Sequence, residues 1–324
     1  MKALLCTTYG PAELLEYRDV PSPRPQAGQV LISVRAASVN FPDVLIIENK
    51  YQFKPPLPFS PGSELSGVIL EVGPGVDRLA PGDRVMAFTL HGAFAEEAVV
   101  EAGGVLPIPP GMDFPSAAAL LLTYGTADHA LRDRAALRHG ETVLVLGAAG
   151  GVGLASVEVA KALGAHVIAC ASSAGKLAVC RDRGADDVID YATEDLRERV
   201  KTLTRGRGVD VIVDPVGGPI TEAALRSIAW RGRLLVIGFA EGTIPRIPLN
   251  LVLLKGCSLV GVFWGDFTRR EPRAFAASVE QLCEWYAQGT ITPHISLTLP
   301  LSRGAEAIAL MAARKVVGKI VLQP

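Results

Sequence analysis

A glycine-rich turn between a short apolar strand and a helix constrains the fold of this chain more than any other segment. A strand is predicted over Thr142–Gly147, the turn reads Ala148-Ala-Gly-Gly-Val-Gly153, and an apolar-periodic run continues to Gly164. Such a turn lets the backbone approach a pyrophosphate, because the N–H groups and dipole of a helix N-terminus attract negative charge. The dinucleotide fingerprint G-x-G-x-x-G fits with one departure, since alanine holds its first position. We therefore predict a dinucleotide site whose pyrophosphate lies against Ala149, Gly150, Gly151 and Val152.

The residues after the next strand, His166–Ala171, distinguish between the two nicotinamide dinucleotides. An NAD-binding unit places Asp or Glu about 20 residues past the glycines, where it binds the ribose 2′-hydroxyl. This chain has Ser172, Ser173 and Lys176 there and no acid until Asp182. A carboxylate would repel a 2′-phosphate, whereas two hydroxyls and an ammonium can bind one, so we predict NADPH. In the alternative interpretation Ser172 only caps the next helix and Lys176 lies in solvent, although capping and phosphate binding can coexist.

Length and composition restrict the class of protein. A chain of 324 residues can build two domains, and 49% hydrophobic with 20% charged residues is typical of a compact enzyme. The net charge of −1 gives no electrostatic signal for nucleic acid or an anionic membrane, and no apolar run is long enough to span a bilayer. The N-terminal apolar stretch is too short for a secretion signal, and the five cysteines have no C-x-x-C spacing. We expect a cytoplasmic protein with a small-molecule substrate.

The first third of the chain is rich in Pro and Gly and predicts a small antiparallel barrel or sandwich. Short alternating runs predict strands over Gln29–Val39, Glu64–Val72, Arg84–Phe88 and Ala93–Val100. From Asp113, a predicted N-cap, the pattern becomes helical.

Strands and helices then alternate in the manner of a doubly wound sheet. Six strands are predicted over Thr142–Gly147, His166–Ala171, Asp187–Asp190, Val209–Asp214, Arg233–Phe239 and Cys257–Phe263. The helices between them are predicted to begin near Gly151, Ala174, Glu194 and Thr221. After Gly265 the chain leaves this domain, and a further helix is predicted over Pro272–Gln288. The remaining residues, about 60, are few for an independent domain, so we expect domains at 1–122 and 123–265, with 266–324 completing the first.

Several motifs besides the glycine-rich turn carry a resemblance to a known family. They are Ser38-Val-Asn-Phe-Pro-Asp43, Tyr51, Pro61-Gly-Ser-Glu-Leu-Ser-Gly67, Val72-Gly-Pro-Gly-Val76, Pro81-Gly-Asp-Arg-Val85, Asp214-Pro-Val-Gly217 and Gly318-Lys-Ile-Val-Leu322. Together with the turn, they make the whole chain resemble the zinc-independent NADPH:quinone oxidoreductase (zeta-crystallin-like) branch of the medium-chain dehydrogenase/reductase superfamily. The resemblance implies an α/β fold, in which a doubly wound Rossmann domain accompanies a discontinuous GroES-like β-barrel catalytic domain.

Metal-ligating patterns are absent from the sequence. There is no H-E-x-x-H motif, the cysteines are not clustered, and the five histidines are far apart. Asn40 stands where zinc-dependent members of the superfamily carry a ligating cysteine, and Ser63 stands where their Gly-His-Glu motif supplies histidine. No cysteine occurs between Phe88 and Pro109, where those members carry four structural cysteines. We expect no metal.

Further cofactor contacts follow from the resemblance. It implies that Thr126 lines the nicotinamide ribose region and that Lys176, Tyr191 and Arg314 surround the 2′-phosphate. The alternative is that Tyr191 and Arg314 are ordinary surface residues. Four residues near the ends of two predicted strands should border the cofactor, because ligands bind at the carboxyl ends of strands in open α/β sheets. They are Gly238, Phe239, Phe263 and Trp264.

Two residues are candidates for the chemical step. Hydride transfer mainly requires donor and acceptor carbons held about 3–3.5 Å apart in a water-poor site. Charge then develops on the acceptor oxygen, and a neutral hydrogen-bond donor can stabilise it. We assign this task to the amide of Asn40 and the phenol of Tyr51. The alternative is that Asn40 fixes a turn before Pro42 and that Tyr51 is an aromatic residue at the rim.

Three functions fit these patterns. The first is an NADPH-dependent quinone reductase, the second a reductase of activated C=C bonds in enals, enones or enoyl thioesters, and the third a non-catalytic NADPH-binding protein. The cluster Arg269-Arg270-Glu271-Pro272-Arg273 either contacts coenzyme A phosphates or is a solvated helix start. The apolar strand Cys257–Phe263 should lie at a sheet edge, where an uncovered apolar strand is a liability. The resemblance implies that two such edges pair, so we predict a homodimer.

Overall fold

The computed structural model describes residues 1–324 and divides them into two compact units. The first unit contains Met1–Leu122 and Pro293–Pro324, and the second contains Thr123–Thr292. The first boundary coincides with the predicted one at 122/123. The second boundary corrects the predicted one, because it lies at 292/293 instead of 265/266.

Fifteen strands and eleven α-helices form the two units. The strands are β1 Lys2–Leu5, β2 Glu16–Asp19, β3 Gln29–Val39, β4 Glu64–Val72, β5 Arg84–Phe88, β6 Glu97–Glu101, β7 Val105–Pro107, β8 Thr142–Val145, β9 His166–Ala171, β10 Asp187–Asp190, β11 Val209–Asp214, β12 Ile228–Val236, β13 Ser258–Gly261, β14 Ile295–Pro300 and β15 Lys319–Gln323. The helices are α1 Phe41–Ile47, α2 Phe114–Ala118, α3 Leu121–Asp128, α4 Gly151–Ala162, α5 Ala174–Asp182, α6 Leu196–Leu203, α7 Pro219–Arg226, α8 Leu249–Lys255, α9 Trp264–Arg270, α10 Pro272–Ala287 and α11 Gly304–Ala312. None of them combines the length and the apolar character needed to cross a membrane.

The first unit is built on a seven-stranded sheet centred on β3. The strand order is β14-β15-β3-β4-β5-β7, with β6 also paired to β3. Neighbouring strands are antiparallel except β14 and β15, and β1 and β2 form a separate antiparallel pair. The alternating apolar side chains of β3 that are buried, such as Ile32 and Val34, pack into a core with Leu4, Leu65 and Phe94.

Three of the four strands predicted for the first unit have the predicted bounds, and the fourth does not. It begins at Glu97 instead of Ala93. The preceding residues bind elsewhere, since the Leu4 N–H donates to the carbonyl oxygen of Phe94 at 2.9 Å. This segment therefore lies against β1 before the ladder with β3 begins.

The second unit is a fully parallel six-stranded sheet with helices in the connections between strands. Its order is β10-β9-β8-β11-β12-β13, and every neighbouring pair is parallel. This order confirms the predicted doubly wound sheet. The strand order reverses between β8 and β11, and ligands of such sheets bind outside the carboxyl ends of the strands at this point. The glycine-rich turn follows β8 and therefore lies at the expected place.

The ends of several elements differ from the predicted ends for local reasons. β12 ends at Val236, where its ladder with β11 ends, so Gly238 lies in the loop beyond the strand and not inside it. α6 begins slightly after Glu194, because Asp195 is its N-cap and accepts two backbone N–H bonds. α7 begins earlier than predicted, since Pro219 occupies its first turn.

α9 and α10 belong to the second unit because their side chains pack within it. The hydroxyl of Ser278 on α10 donates a hydrogen bond to the carboxylate of Asp128 at the end of α3. The Phe267 ring on α9 stacks on the His129 imidazole with centroids 4.0 Å apart. These contacts explain why the second boundary falls after α10.

Candidate active site

The turn after β8 has its left-handed residue one position earlier than the fingerprint suggests. Gly147 has a φ of 57°, and the Ala148 N–H that follows it donates to the carbonyl oxygen of Cys170 at 2.8 Å. A Cβ atom on Gly153 would lie 2.3 Å from the Gly147 carbonyl oxygen, so only glycine fits there. Because Gly147 supplies the backbone conformation that the tight turn needs, alanine is tolerated at position 148.

The turn leads into α4 with its first N–H groups available to an anion. Gly150 is the N-cap of α4 and has no side chain to occupy them. The first four N–H groups of a helix have no partner inside it, and the helix dipole favours negative charge at this end. The predicted pyrophosphate residues all lie at this helix start: Ala149, Gly150, Gly151 and Val152.

The residues predicted to bind a 2′-phosphate in the second unit meet at the carboxyl end of β9. Ser173, and not Ser172, is the N-cap of α5, and its hydroxyl accepts from the Lys176 N–H at 3.4 Å. The Ser172 hydroxyl instead accepts from the Lys176 ammonium at 3.4 Å. The Tyr191 N–H donates to the carbonyl oxygen of Ala171 at 3.2 Å, so this tyrosine lies beside the same strand end. Two hydroxyls, an ammonium and a helix N-terminus are therefore close together.

Arg314 is the one predicted phosphate contact that belongs to the first unit. It follows α11 and has a left-handed φ of 56°. Its N–H donates to the carbonyl oxygen of Met311 at 3.0 Å. Its role at the 2′-phosphate stays a prediction.

Asp214 organises the carboxyl end of β11, and sequence reasoning had not assigned it a role. Its carboxylate accepts hydrogen bonds from the Gly217 N–H at 2.8 Å and from the Thr221 hydroxyl at 2.5 Å. The Phe239 ring covers Gly217, because a Cβ atom there would lie 2.9 Å from a ring carbon. The Gly238 N–H approaches the Asp214 carbonyl oxygen at 3.4 Å. Gly238 and Phe239 thus lie where the strand order predicts a ligand.

The aromatic pair after β13 divides into an exposed and a buried residue. Phe263 is 56% exposed, whereas Trp264 is 4% exposed and makes an edge-to-face contact with Phe275 at 5.8 Å. The Trp264 indole lies over Gly125 of α3, where a Cβ atom would lie 2.7 Å from Nε1. The next residue of that helix, Thr126, is buried. Trp264 is therefore a core residue of the second unit that also supports α3.

In the first unit a buried polar cluster surrounds Asn40. The Lys319 ammonium donates to Asn40 Oδ1 at 2.5 Å and lies 3.5 Å from Glu64 Oε2. The Asn40 amide nitrogen lies 3.3 Å from that same carboxylate oxygen and from the Ser38 hydroxyl. All four side chains are buried. Burial lowers the pKa of Lys319, and the Glu64 carboxylate opposes this shift. Both ends of the Asn40 amide are therefore engaged.

Asp43 joins this cluster to the residues around it. Its carboxylate accepts from the Asn40 N–H at 2.8 Å and from the Gly62 N–H at 3.2 Å. Burial raises the pKa of Asp43 to about 7, while these hydrogen bonds and Lys319 oppose the rise. Sequence reasoning had not selected Asp43, although the Asn-x-x-Asp spacing at the start of α1 resembles a capping box.

Tyr51 keeps its phenolic proton at neutral pH. Its side chain is half-buried. Burial raises its pKa above the usual value of 10, and the charge of Asp43 adds to this effect. The phenol can therefore act as a hydrogen-bond donor across the physiological range.

Comparison with known proteins identifies the family. The family "Alcohol dehydrogenase GroES-like domain" matches residues 26–110, and the family "Zinc-binding dehydrogenase" matches residues 151–282. A quinone oxidoreductase-like protein 2 homologue from Nematostella vectensis is 40% identical over 324 residues, covering 99% of this chain and 88% of that protein. The chain is a medium-chain dehydrogenase/reductase of the quinone oxidoreductase branch.

Other members of this branch are similar over their whole length. Quinone oxidoreductase from Rattus norvegicus is 36% identical over 309 residues, covering 95% of this chain and 92% of that protein. The structure of Escherichia coli quinone oxidoreductase, complexed with NADPH, superimposes with a TM-score of 0.93 at 27% identity and covers 100% of both chains. A mycobacterial protein complexed with NADPH gives a TM-score of 0.94 at 34% identity, again over 100% of both chains. These similarities confirm the predicted family and the GroES-like and Rossmann fold.

The two positions that the resemblance aligns with zinc ligands, Asn40 and Ser63, carry an amide and a hydroxyl. Asn40 is engaged by Lys319, as described above. Ser63 is buried, and its hydroxyl has no hydrogen-bond partner, while its carbonyl oxygen accepts from the Thr89 N–H at 2.8 Å. No group of three or more His, Cys, Asp or Glu side chains that could hold a metal ion is found in residues 1–324. Amides and hydroxyls are not among the usual ligands of zinc.

Two arginines of the cluster at residues 269–273 form ion pairs within their own helix, α9. Arg269 and Arg270 both pair with the carboxylate of Asp266 on α9, and the two guanidinium groups are largely exposed. This arrangement is typical of a solvated helix face, where exposed pairs contribute little to stability. It favours the alternative that the cluster is not a phosphate site.

Proposed function

We propose that this NADPH-dependent oxidoreductase reduces quinones and that it does so without zinc. The similarity to quinone oxidoreductases supports quinones as the acceptors, and the observation that carries the absence of zinc is the contact of 2.5 Å between the Lys319 ammonium and Asn40. The resemblance aligns Asn40 with a zinc ligand of other superfamily members. A buried ammonium at this place would repel a divalent cation, because charges interact strongly where water is excluded.

NADPH fits the chemistry of the second unit. The start of α4 offers N–H groups to the pyrophosphate, and the end of β9 offers hydroxyls and an ammonium without a carboxylate to repel a 2′-phosphate. For the 2′-phosphate we propose Ser172, Ser173, Lys176, Tyr191 and Arg314. For the nicotinamide half we propose Thr126, Gly238, Phe239 and Phe263 as contacts, and Trp264 as a residue that borders the site through its packing on α3.

The reaction consumes one quinone, one NADPH and one proton and gives hydroquinone and NADP⁺. NADPH, when bound, supplies the hydride. Negative charge then develops on the acceptor oxygen, and the protonated phenol of Tyr51 is positioned in our proposal to donate to that oxygen. The hydrogen bonds of Asn40 to Lys319 and Glu64 favour a structural role for its amide, in which it shapes the site.

The test is an NADPH oxidation assay against quinones, enals and enoyl-coenzyme A esters, with NADH in parallel. Faster turnover of quinones with NADPH supports the proposal. Preference for enals or enoyl-coenzyme A would move the enzyme to C=C reduction, for which the hydride step and the stabilisation of charge are similar. Tight NADPH binding without turnover of any acceptor would instead indicate a non-catalytic NADPH-binding protein.

We further propose that the protein is a homodimer through the edge of the parallel sheet. β13 pairs only with β12, so its other side is an open edge. Four large apolar side chains in the same part of the second unit are 70–78% exposed: Trp230, Leu249, Leu253 and Leu254. An open edge beside such residues requires a cover. A second copy of the chain offers the same surface and can pair with it by two-fold symmetry.

A cytoplasmic location is proposed on the basis of the cysteines. Cys6, Cys170, Cys180, Cys257 and Cys283 are all free. Free thiols in this number suit a reducing compartment. Fractionation of cells that produce the protein tests this location.

A further inference from the structure

A buried carboxylate on α4 collects hydrogen bonds from three distant parts of the second unit. Glu158 Oε2 accepts from the Tyr124 hydroxyl at 2.5 Å and from the Thr292 N–H at 3.0 Å. Glu158 Oε1 accepts from Arg183 Nη1 at 3.2 Å. Arg183 also donates to the Thr292 carbonyl oxygen at 2.8 Å. Glu158 is 7% exposed, so these contacts lie in the interior of the unit.

The electrostatics of this network determine which groups donate hydrogen bonds and which accept them. Burial raises the pKa of Glu158, and the hydrogen bonds from Tyr124, Thr292 and Arg183 oppose that rise. Burial and the neighbouring carboxylate raise the pKa of Tyr124 well above 10, so its phenol keeps the proton and donates. A buried ionic network costs desolvation energy, and an apolar core of the same volume is often as stable. We therefore expect the network to fix the relative positions of the segments that it joins, and not to add much to the free energy of unfolding.

Tyr124 connects this network to the nicotinamide side of the site. It lies on α3, two residues before Thr126, and Gly125 between them is covered by the Trp264 indole. α3 is thus held from two directions, by packing against Trp264 and by a hydrogen bond to Glu158. The hydrogen bond to Glu158 holds the middle of the helix, whereas the Ser278 hydroxyl holds its end through Asp128.

Glu158 itself belongs to the helix that begins at the glycine-rich turn. It lies seven residues after Gly151 and on the same face of α4, since residues that far apart complete about two helical turns. One contact, from Glu158 to Tyr124, therefore joins the pyrophosphate turn to the segment that carries Thr126.

We propose that Glu158 is a positioning residue for the nicotinamide half of NADPH, and that it acts through Tyr124 by holding α3 at a set distance from the start of α4. The proposal rests on NADPH as the cofactor and on Thr126 as its contact, and it does not depend on the identity of the acceptor. Hydride transfer tolerates little error in the placement of the nicotinamide, because a displacement of about 1 Å can cost roughly 10²-fold in rate.

The test compares two ligands that share the adenine half of the cofactor. NADPH contains the nicotinamide and its ribose, whereas adenosine 2′,5′-bisphosphate ends at its 5′-phosphate and lacks both. In Tyr124→Phe we expect the Kd for NADPH to rise roughly tenfold, since α3 would no longer be held where Thr126 contacts the nicotinamide half. The Kd for the bisphosphate should stay within about twofold of the wild-type value, because the end of β9 is untouched. Tyr286→Phe, which removes a phenol from the half-buried surface of α10, is the matched control and should change neither Kd.

A second variant distinguishes positioning from a general loss of folding. Glu158→Gln keeps the shape of the side chain but removes the charge, and we expect it to weaken NADPH and spare the bisphosphate in the same way. In the double variant the loss should be no larger than in the more severe single variant, since both act through one contact. Equal loss of both ligands, or unchanged NADPH binding in Tyr124→Phe with a native melting curve, would overturn the proposal. Both Kd values are measured by calorimetry without any acceptor, so failure of quinone turnover does not affect this result.

Discussion

The ammonium of Lys319 and the amide oxygen of Asn40 lie 2.5 Å apart, although 279 residues separate them in the chain. The contact joins the last strand, β15, to the residue before the first helix, α1. Glu64 accepts hydrogen bonds within the same cluster, and all three side chains are at most 4% exposed. A buried charge of this kind depends on its partner, because its desolvation is compensated only by that partner.

Removal of the ammonium should therefore destabilise the protein strongly. We expect Lys319→Met to lower the free energy of unfolding by about 3–5 kcal/mol, since Glu64 would remain buried without its cation. Lys315→Met is the matched control, because Lys315 is exposed, and we expect a change of less than about 0.5 kcal/mol there. Urea denaturation at neutral pH measures both. Similar midpoints for the two variants would show that the cluster does not contribute as described.

Asp43 should make stability fall as the pH rises through the acidic range. Its pKa is about 7 in the folded protein and near 3.8 in the unfolded chain. Between these values the folded state holds the proton and the unfolded state does not, so the contribution of Asp43 is greatest below pH ~4 and is lost as the pH approaches 7. Asp43→Asn removes this titration. The unfolding free energy of the wild type minus that of the variant should decrease from pH 4 to pH 7. A constant difference would contradict the assignment.

The cofactor half of the site could be predicted from sequence because its determinants are local. A glycine-rich turn, the strand before it and the helix after it are consecutive, and the serines and lysine after β9 lie within five residues of each other. One local detail was less visible. The tight turn is made at Gly147, one residue before the motif, and the φ of 57° at that position explains why Ala148 is accepted.

The polar clusters could not be predicted because their members are distant in sequence. Lys319 appeared only as part of a family motif, and nothing local connects it with Asn40 or with Glu64. The same is true of Glu158, whose carboxylate accepts from the N–H of Thr292, 134 residues later. A buried ionic residue on a helix gives no periodic signal of its own, since apolar periodicity reports only the core face. The second domain boundary was misplaced for a related reason, because α10 is held by side-chain contacts and not by a local pattern.

Tyr51 is expected to contribute to the chemical step. We expect Tyr51→Phe to lower kcat for quinones roughly 10²-fold, since a donor to the developing charge is lost. Because the pKa of Tyr51 lies above its usual value of 10, the wild-type rate should not show its titration between pH 6 and pH 9. Tyr17→Phe on the exposed strand β2 is the control. Unchanged turnover of all acceptors in Tyr51→Phe would show that Tyr51 is not a proton donor and only lines the site.

Lys176 is expected to determine the preference for NADPH. Its ammonium lies 3.4 Å from the Ser172 hydroxyl at the end of β9, where a 2′-phosphate would receive a charge-assisted hydrogen bond. We expect Lys176→Ala to raise the Kd for NADPH roughly 10- to 100-fold and to leave the Kd for NADH within about twofold. Lys201→Ala, on the exposed side of α6, should change neither value. Equal weakening of both dinucleotides would assign Lys176 a structural role.

The open edge of the parallel sheet should be covered by a second copy of the chain. β13 has one strand partner, and the neighbouring helix α8 exposes Leu253 at 78% of its surface. A carboxylate buried at such an interface would lose its hydration without gaining a partner, so Leu253→Glu should give a monomer where the wild type gives a dimer. Leu14→Glu is the matched control, because Leu14 is also exposed but lies in the first unit, and it should keep the wild-type mass. Light scattering coupled to size-exclusion chromatography measures all three masses. A monomeric mass for the wild type would contradict the prediction of a dimer. A dimeric mass for Leu253→Glu would show that the interface lies on another surface.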